Sequence, residues 1–198
     1  MISIASALSG CDAAGTGERA PLVAGTGAPV IVPGGPGEAG RTARPGEGLG
    51  MSEARVTAAD VRFAEGMVPH HRQALEMAAL VAPRSSSVAL RTIGGRITAA
   101  QRAEIAAMTS WLRSVGRPPA GHDDHTVTLE QMNRLRAARG AAFDELFLTL
   151  MIAHHEAAMT MAGQELREGT DRAMLAVAQD VLSGQGVEIA RMRRLLRR

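Results

Sequence analysis

The sequence predicts an all-α protein: an up-down four-helix bundle built from two duplicated helical hairpins and preceded by a disordered tether. Three observations carry this. Aromatic residues are nearly absent, with one Trp, three Phe and no Tyr in a chain that is 45% hydrophobic. Ala, Leu, Met and Val must therefore fill the core, which favours helices over a sheet. Long stretches after residue 53 carry apolar residues at helical spacing. Finally, one motif occurs twice: Asp60, Phe63, Met67, His70, His71 and Met77 return as Asp144, Phe147, Met151, His154, His155 and Met161, each displaced by 84 residues. The echo continues without insertion, as Ile97, Gln101, Glu104, Ile105, Met108 and Leu112 answer to Val181, Gln185, Glu188, Ile189, Met192 and Leu196. A repeat of this kind implies two copies of one helical unit packed with approximate two-fold symmetry.

Residues 1–11 read as the end of a signal peptide. Leu8-Ser9-Gly10-Cys11 has the form of a lipobox behind the apolar run Ile2 to Leu8, making Cys11 the lipidation site. No Lys or Arg precedes it, so either a charged start of the signal lies upstream or this is only an apolar N-terminus. This single Cys excludes an internal disulfide and a Cys-based zinc site. Residues 12–52 hold 11 of the 22 glycines by residue 50 and show no apolar period, as expected of a flexible linker between anchor and domain.

The folded domain is expected over residues 53–198. Thr57-Ala-Ala-Asp60 has the form of a capping box, opening a helix that runs to about Ala82 and stops at Pro83. A second helix spans roughly Ser87 to Val115, with Gly94-Gly95 as a point of interruption, and ends at Gly116. Thr128-Leu-Glu-Gln131 begins a short helix ending near Gly140. A long one follows from about Ala141 to Glu168, and Gly169-Thr170-Asp171 turns it into the last. Two hairpins of long helices are most economically packed as an up-down bundle.

At 100° per residue, Asp60, Met67 and His71 lie within about 20° of one line, and Phe63, His70 and Met77 form a second stripe roughly 60 to 100° away. Both fit one buried face, so the histidines straddle the direction of the core. The second copy adds Met159 close by. Pseudo-symmetry brings four histidines and at least four methionines toward the interior, as one centre or as two mirrored sites. Pro69 precedes the first pair and removes the hydrogen bond to the Glu65 carbonyl, either kinking the helix beside the histidines or merely bending it.

Imidazole and thioether together suit a soft or borderline metal, copper above all. The candidate ligands are His70, His71, Met67 and Met77, with His154, His155, Met151 and Met161. Asp60 and Asp144 are candidates to hydrogen-bond and orient the histidines from behind. The competing reading is a structural polar network of His and Asp in a non-metal scaffold or interaction module. Met108 and Met192 read as core filling. Gln101, Glu104, Gln185 and Glu188 fit cross-bundle hydrogen bonds, further ligands or a boundary face. His122 and His125, in the polar connector between the halves, read as solvated.

With 22 basic residues, all Arg, against 20 acidic ones, the charge is nearly balanced and gives no nucleic-acid footprint. Five arginines between Arg191 and Arg198 complement the dipole of the last helix. No nucleophile-base arrangement, phosphate loop or cofactor fingerprint indicates an enzyme. A di-iron site fits poorly, since Glu-x-x-His occurs nowhere.

The paired motif, with Met67-Val-Pro-His-His71 and Met151-Ile-Ala-His-His155, resembles the domain of unknown function 305 family from about residue 55 onward. The resemblance implies a ferritin-like four-helix fold, export or lipid anchoring, and copper binding. It carries ligand roles over to Met67, His70, His71, Met77, Met151, His154, His155 and Met161. The expectation is therefore an exported, membrane-anchored lipoprotein that sequesters copper or hands it on, alone, as a homo-oligomer or with a transfer partner.

Overall fold

The computed structural model describes residues 31–32, 37, 39–44, 56–117 and 126–197. The signal segment, Cys11, most of the linker, His122 and His125 lie outside them. The chain divides into two units, residues 1–53 and 54–198.

In the first unit, β1 (Ile31–Val32) pairs antiparallel with β2 (Arg41–Thr42), Ile31 opposite Thr42 and Val32 opposite Arg41. A tether without structure does not include this pairing. The β-branched Ile31, Val32 and Thr42 favour extended backbone, and between the strands Gly37 takes a φ of +86°, which L side chains rarely adopt.

The second unit is an all-α bundle: α1 (Ala58–Ala79), α2 (Val81–Arg84), α3 (Val88–Ser114), α4 (Leu129–Ala137), α5 (Gly140–Glu168) and α6 (Arg172–Leu196). Local chemistry sets its ends. Thr57 and Asp60 form a reciprocal capping box on α1, and Thr128 and Gln131 do so on α4. At the end of α3, Arg117 N donates to Leu112 O and Gly116 N to Arg113 O, with Gly116 at φ +72°. This paired closure satisfies carbonyls that the helix leaves open. Asp171 caps α6 by accepting from the amides of Ala173 and Met174.

Of the two prolines in this region, only Pro83 departs from the sequence expectation. Pro83 does not end a helix but sits in the single turn α2, where the missing N–H is one that a first turn leaves unbonded anyway. Pro69 lies within α1, which continues through it and buries Val68 and His70 on either side. Likewise α3 passes through Gly94-Gly95 unbroken. A Cβ at Gly94 would lie 3.4 Å from Val81 Cγ2, at ordinary contact distance, so α2 packs directly over this point of α3.

Helix α1 packs on α3 and α5 on α6, while α1 also meets α5 and α3 meets α6. α1 and α5 run in opposite directions: Asp60 at the start of α1 accepts from the amides of Thr170 and Asp171, just past the end of α5. Gln73 holds the connector between the halves, donating to Val127 O and accepting from Val127 N. Two apolar clusters fill the interior, one around Phe143, Phe147 and Leu135, the other around Phe63, Trp111 and Leu112. Among the described residues no helix is long and apolar enough to cross a membrane.

Candidate metal centre

Opposite directions for α1 and α5 bring the middle of one against the middle of the other, and the histidines occupy that crossing. His70 is 3% exposed and His71, His154 and His155 are fully buried. The rings of His70 and His154 lie with centroids 3.7 Å apart and planes tilted by 36°. His71 stands 6.1 Å from His70, and His155 stands 6.4 Å from His154, so the four rings form one continuous row through the bundle.

The outer pair is held and the inner pair is not. His71 Nε2 lies 2.6 Å from Glu104 Oε2, and His155 Nε2 lies 2.8 Å from Glu188 Oε2. Where the carboxylate only accepts, Nε2 is the donor, and in such a tautomer of the neutral ring Nδ1 is left as a bare lone pair. Neither Nδ1 has a partner, and neither do the two nitrogens of His70 or of His154. Six buried ring nitrogens are thus without hydrogen bonds. The amides of Gln101 and Gln185, one turn before the two glutamates, are also buried and unpaired.

Burial, followed by the neighbouring His71 and His155, pushes His70 down to about 3. Burial again, then His70, His155 and His71, takes His154 down to about 2, against a smaller upward pull from the His70 backbone. Both inner rings are therefore neutral at physiological pH, the form that donates a lone pair to a metal. Their surroundings fit a metal: buried lone pairs, neutral rings, and carboxylates fixing the outer tautomers. Among the described residues, though, no three His, Cys, Asp or Glu side chains make a ready cage. Further donors would have to be thioethers or come with side-chain adjustment.

The methionines divide across the halves rather than within them. Met67 and Met77 are ten residues apart on α1, about 15 Å along the axis. Met67 joins the apolar cluster of Met108, with Met161 packed against it, while Met77 joins Met151 and Met192. Each cluster thus combines the first motif methionine of one half with the last of the other. Met161 Cε reaches Gly66, 3.1 Å from where a Cβ would stand.

Asp60 does not stand behind a histidine. Its carboxylate accepts from Thr57 N at 2.6 Å, from Thr57 Oγ1 at 2.7 Å, and from Thr170 N and Asp171 N at 2.9 Å each. Burial alone would raise its pKa, but the hydrogen bonds from Thr57, Asp171 and Glu165 outweigh it and bring it to about 2. Burial, then the hydrogen bond and negative charge of Asp60, pushes Glu165 up to about 8, so the two share a proton. Asp144 has a buried oxygen without a partner and no bond to a histidine. The place expected for these aspartates is taken by Glu104 and Glu188. Their signal was present in the echo of the second helix, because each lies 33 residues after its histidine in both copies.

Similar proteins share this architecture. A fragment of a DUF305 protein from Deinococcus radiodurans matches with a TM-score of 0.67 and 27% identity, covering 71% of this chain and 97% of that one. A DUF305 protein from Streptomyces coelicolor matches at 0.66 and 28%, covering 70% and 91%. CopM in its Cu(I)-bound form matches at 0.63 and 27%, covering 70% and 95%, and its Cu(II)-bound, Ag-bound and apo forms match as well. No curated protein matches the chain. The family model Domain of unknown function (DUF305) covers residues 60–196, from the aspartate that opens the first motif almost to the end of α6, and the chain belongs to that family.

Proposed function

We propose that the bundle binds copper as cargo, through His70 and His154 at its centre, with His71 and His155 beside them and the two cross-half methionine groups above and below. The observation that carries this reading is the set of six buried ring nitrogens without partners where α1 meets α5. A buried polar group left unpaired costs roughly 1–3 kcal/mol, so a fold that only needed packing would gain by replacing it. CopM, a relative at 27% identity, is known in Cu(I)-, Cu(II)- and Ag-bound forms, which supports the choice of metal. Imidazole serves either copper oxidation state, and Met67, Met161, Met77 and Met151 favour Cu(I). The role is binding rather than catalysis.

On this reading the bundle is two copies of one hairpin, and the central His70–His154 pair makes a shared centre to which both copies contribute. The location that goes with it is outside the cytoplasm, with Cys11 carrying a lipid and residues 12–52 spanning the distance from membrane to domain. The function is sequestration or hand-off.

The test is titration of Cu(I), Cu(II) and Zn(II) into the untagged protein and into a variant with His70, His71, His154 and His155 changed to Ala. Tight, saturable copper uptake by the wild type and its loss in a folded variant are expected. Equal weak uptake by both would overturn the reading and leave the histidines as a structural network. The direct His71–Glu104 and His155–Glu188 bonds give that alternative its footing.

A further inference from the structure

The duplication makes the two ends of the bundle comparable position by position, and at one end they have diverged. Between the start of α1 and the end of α5 lies a cavity of about 280 Å³, lined by Phe63, Met161, Ala59, Arg62, Gln164, Glu165 and Glu168. At the repeat-related end, the positions of Ala59, Arg62, Gln164 and Glu165 are held by Phe143, Leu146, Leu80 and Val81. Phe143 and Val81 there are buried in the apolar core, with Leu146 and Leu80 packed against it. Met77, the counterpart of Met161, is fully buried, whereas Met161 is only partly so. At these four positions hydrocarbon replaces polar side chains, and the open groove at that end, lined by Arg134, Ala138, Glu145, Leu146 and Thr149, lies between α4 and α5 instead of between α1 and α5.

The cavity also leads somewhere. Its floor is Met161, packed against the cluster that contains Met67, and Met67 lies about one turn before His70 and His71 on α1. Arg62 and Glu168, both lining the cavity, pair at 3.5 Å with side chains 62% and 45% exposed, a solvated ion pair that opens at little cost. The buried carboxyl of Glu165 borders the space beside the Asp60 carboxylate, whose hydrogen bond and negative charge favour its protonated form.

From this divergence we infer that the cavity is the port through which a soft monovalent cation, Cu(I) or Ag(I), reaches the histidine row, by way of Met161 and then Met67. The inference rests on the copper-binding reading above and adds direction to it: copper loads and unloads between the start of α1 and the end of α5, while the equivalent positions at the repeat-related end are closed by hydrocarbon.

The experiment gives the port the side chains of the repeat-related end. Arg62→Leu, Gln164→Leu and Glu165→Val are combined in the full chain, and Cu(I) transfer from a chromophoric chelator is followed by stopped flow beside an equilibrium titration. The expected result is unchanged stoichiometry with uptake about tenfold slower or more, within the one to three decades over which association rates vary among mutants. An unchanged rate at normal stoichiometry overturns the port and leaves copper binding standing. Loss of stoichiometry also overturns it, by making these residues part of the binding site. A wild type that takes up no Cu(I) overturns both readings. If the triple variant does not fold, as judged by circular dichroism, Ala59→Phe, which copies Phe143 into the cavity, is held to the same outcomes.

Discussion

His70 and His154, one from each copy of the repeat, face each other with ring centroids 3.7 Å apart while none of their four ring nitrogens has a hydrogen bond. A structural network and a metal site make opposite demands on this pair. If the rings serve packing alone, replacing both by Leu removes unpaired polar atoms, and if they anchor a network, it breaks one. With nothing bonded to them, H70L/H154L is expected to make the metal-free protein more stable, by about 1–3 kcal/mol per histidine. The same variant should lose the stabilisation that Cu(I) or Ag(I) confers on the wild type. Thermal unfolding with and without metal reads both effects. A metal-free variant less stable than wild type would show the rings to be structural.

The outer histidines are fixed by carboxylates that touch them directly. Glu104→Gln or Glu188→Gln keeps size and hydrogen bonding capacity but allows the ring to present either tautomer. Copper affinity is expected to fall by about 10- to 100-fold for each, the usual effect of removing a carboxylate behind a metal-bound imidazole. Stability should change little, because both carboxylates keep some access to water. Competition against a chelator of known affinity measures the first, and urea unfolding the second.

Sorting of the methionines across halves makes a pairing prediction. Met67→Leu with Met161→Leu should weaken Cu(I) binding and leave Cu(II) binding nearly unchanged, since a thioether favours the softer ion. Met67→Leu with Met77→Leu touches both clusters and should weaken Cu(I) at both levels of the bundle. Leu replaces Met in a core at small cost, so unfolding temperatures should stay close to wild type.

Much of this architecture is legible in the sequence, because repeat and helical period act together. The faces of α1 and α5 follow from the spacing of Met67, His71 and Phe63, and helix starts follow from Thr57, Thr128 and Asp171. Less legible is anything set by the relative direction of helices from different halves. Asp60 looks like a partner for histidine when α1 is considered alone. Only the antiparallel crossing shows that it reaches the turn after α5, at Thr170 and Asp171. The same crossing separates Met67 from Met77, which sequence proximity had grouped with one pair of histidines. The pairing of Ile31–Val32 with Arg41–Thr42 escapes a periodicity argument because two-residue strands carry no period.

Gly169 is a position where packing, not backbone conformation, demands glycine. Its φ is −76°, open to any residue, but a Cβ would collide with the carboxyl of Glu165 and stand 2.8 Å from Asp60 Oδ1. Glu165 is almost fully buried, and its carboxyl can clear the new Cβ only by leaving Asp60 for the cavity it borders with Arg62, Gln164 and Glu168. Gly169→Ala is therefore expected to cost about 1–3 kcal/mol, through the lost Glu165–Asp60 contact and the crowding of Asp60. Gly169→Ala combined with Glu165→Ala should recover part of it, which chemical denaturation of the two variants can show.

The buried histidines and Glu165 set opposite limits on stability with pH. His70 and His154 have folded pKa values of about 3 and about 2, below their ordinary 6.5. Below pH 6.5 the unfolded chain therefore binds more protons than the folded one, and stability falls as acid is added until the folded values are reached. Glu165 acts the other way. Its folded value of about 8 exceeds its ordinary 4.5, so its contribution is complete below 4.5 and is lost as pH rises through 8. Asp60, lowered to about 2 from 3.8, contributes stability above 3.8 that disappears only as pH falls through 2. Between 4.5 and 6.5 two histidines oppose one glutamate, so stability still rises with pH; above 6.5 the glutamate acts alone and stability declines. The metal-free protein should thus be most stable near pH 6.5. H70L/H154L should remove the acid-side fall, and Glu165→Gln should remove the alkaline-side one. Unfolding free energies at intervals from pH 4 to 9 test this, and a wild-type maximum near pH 9 would contradict the buried, proton-sharing state of Glu165.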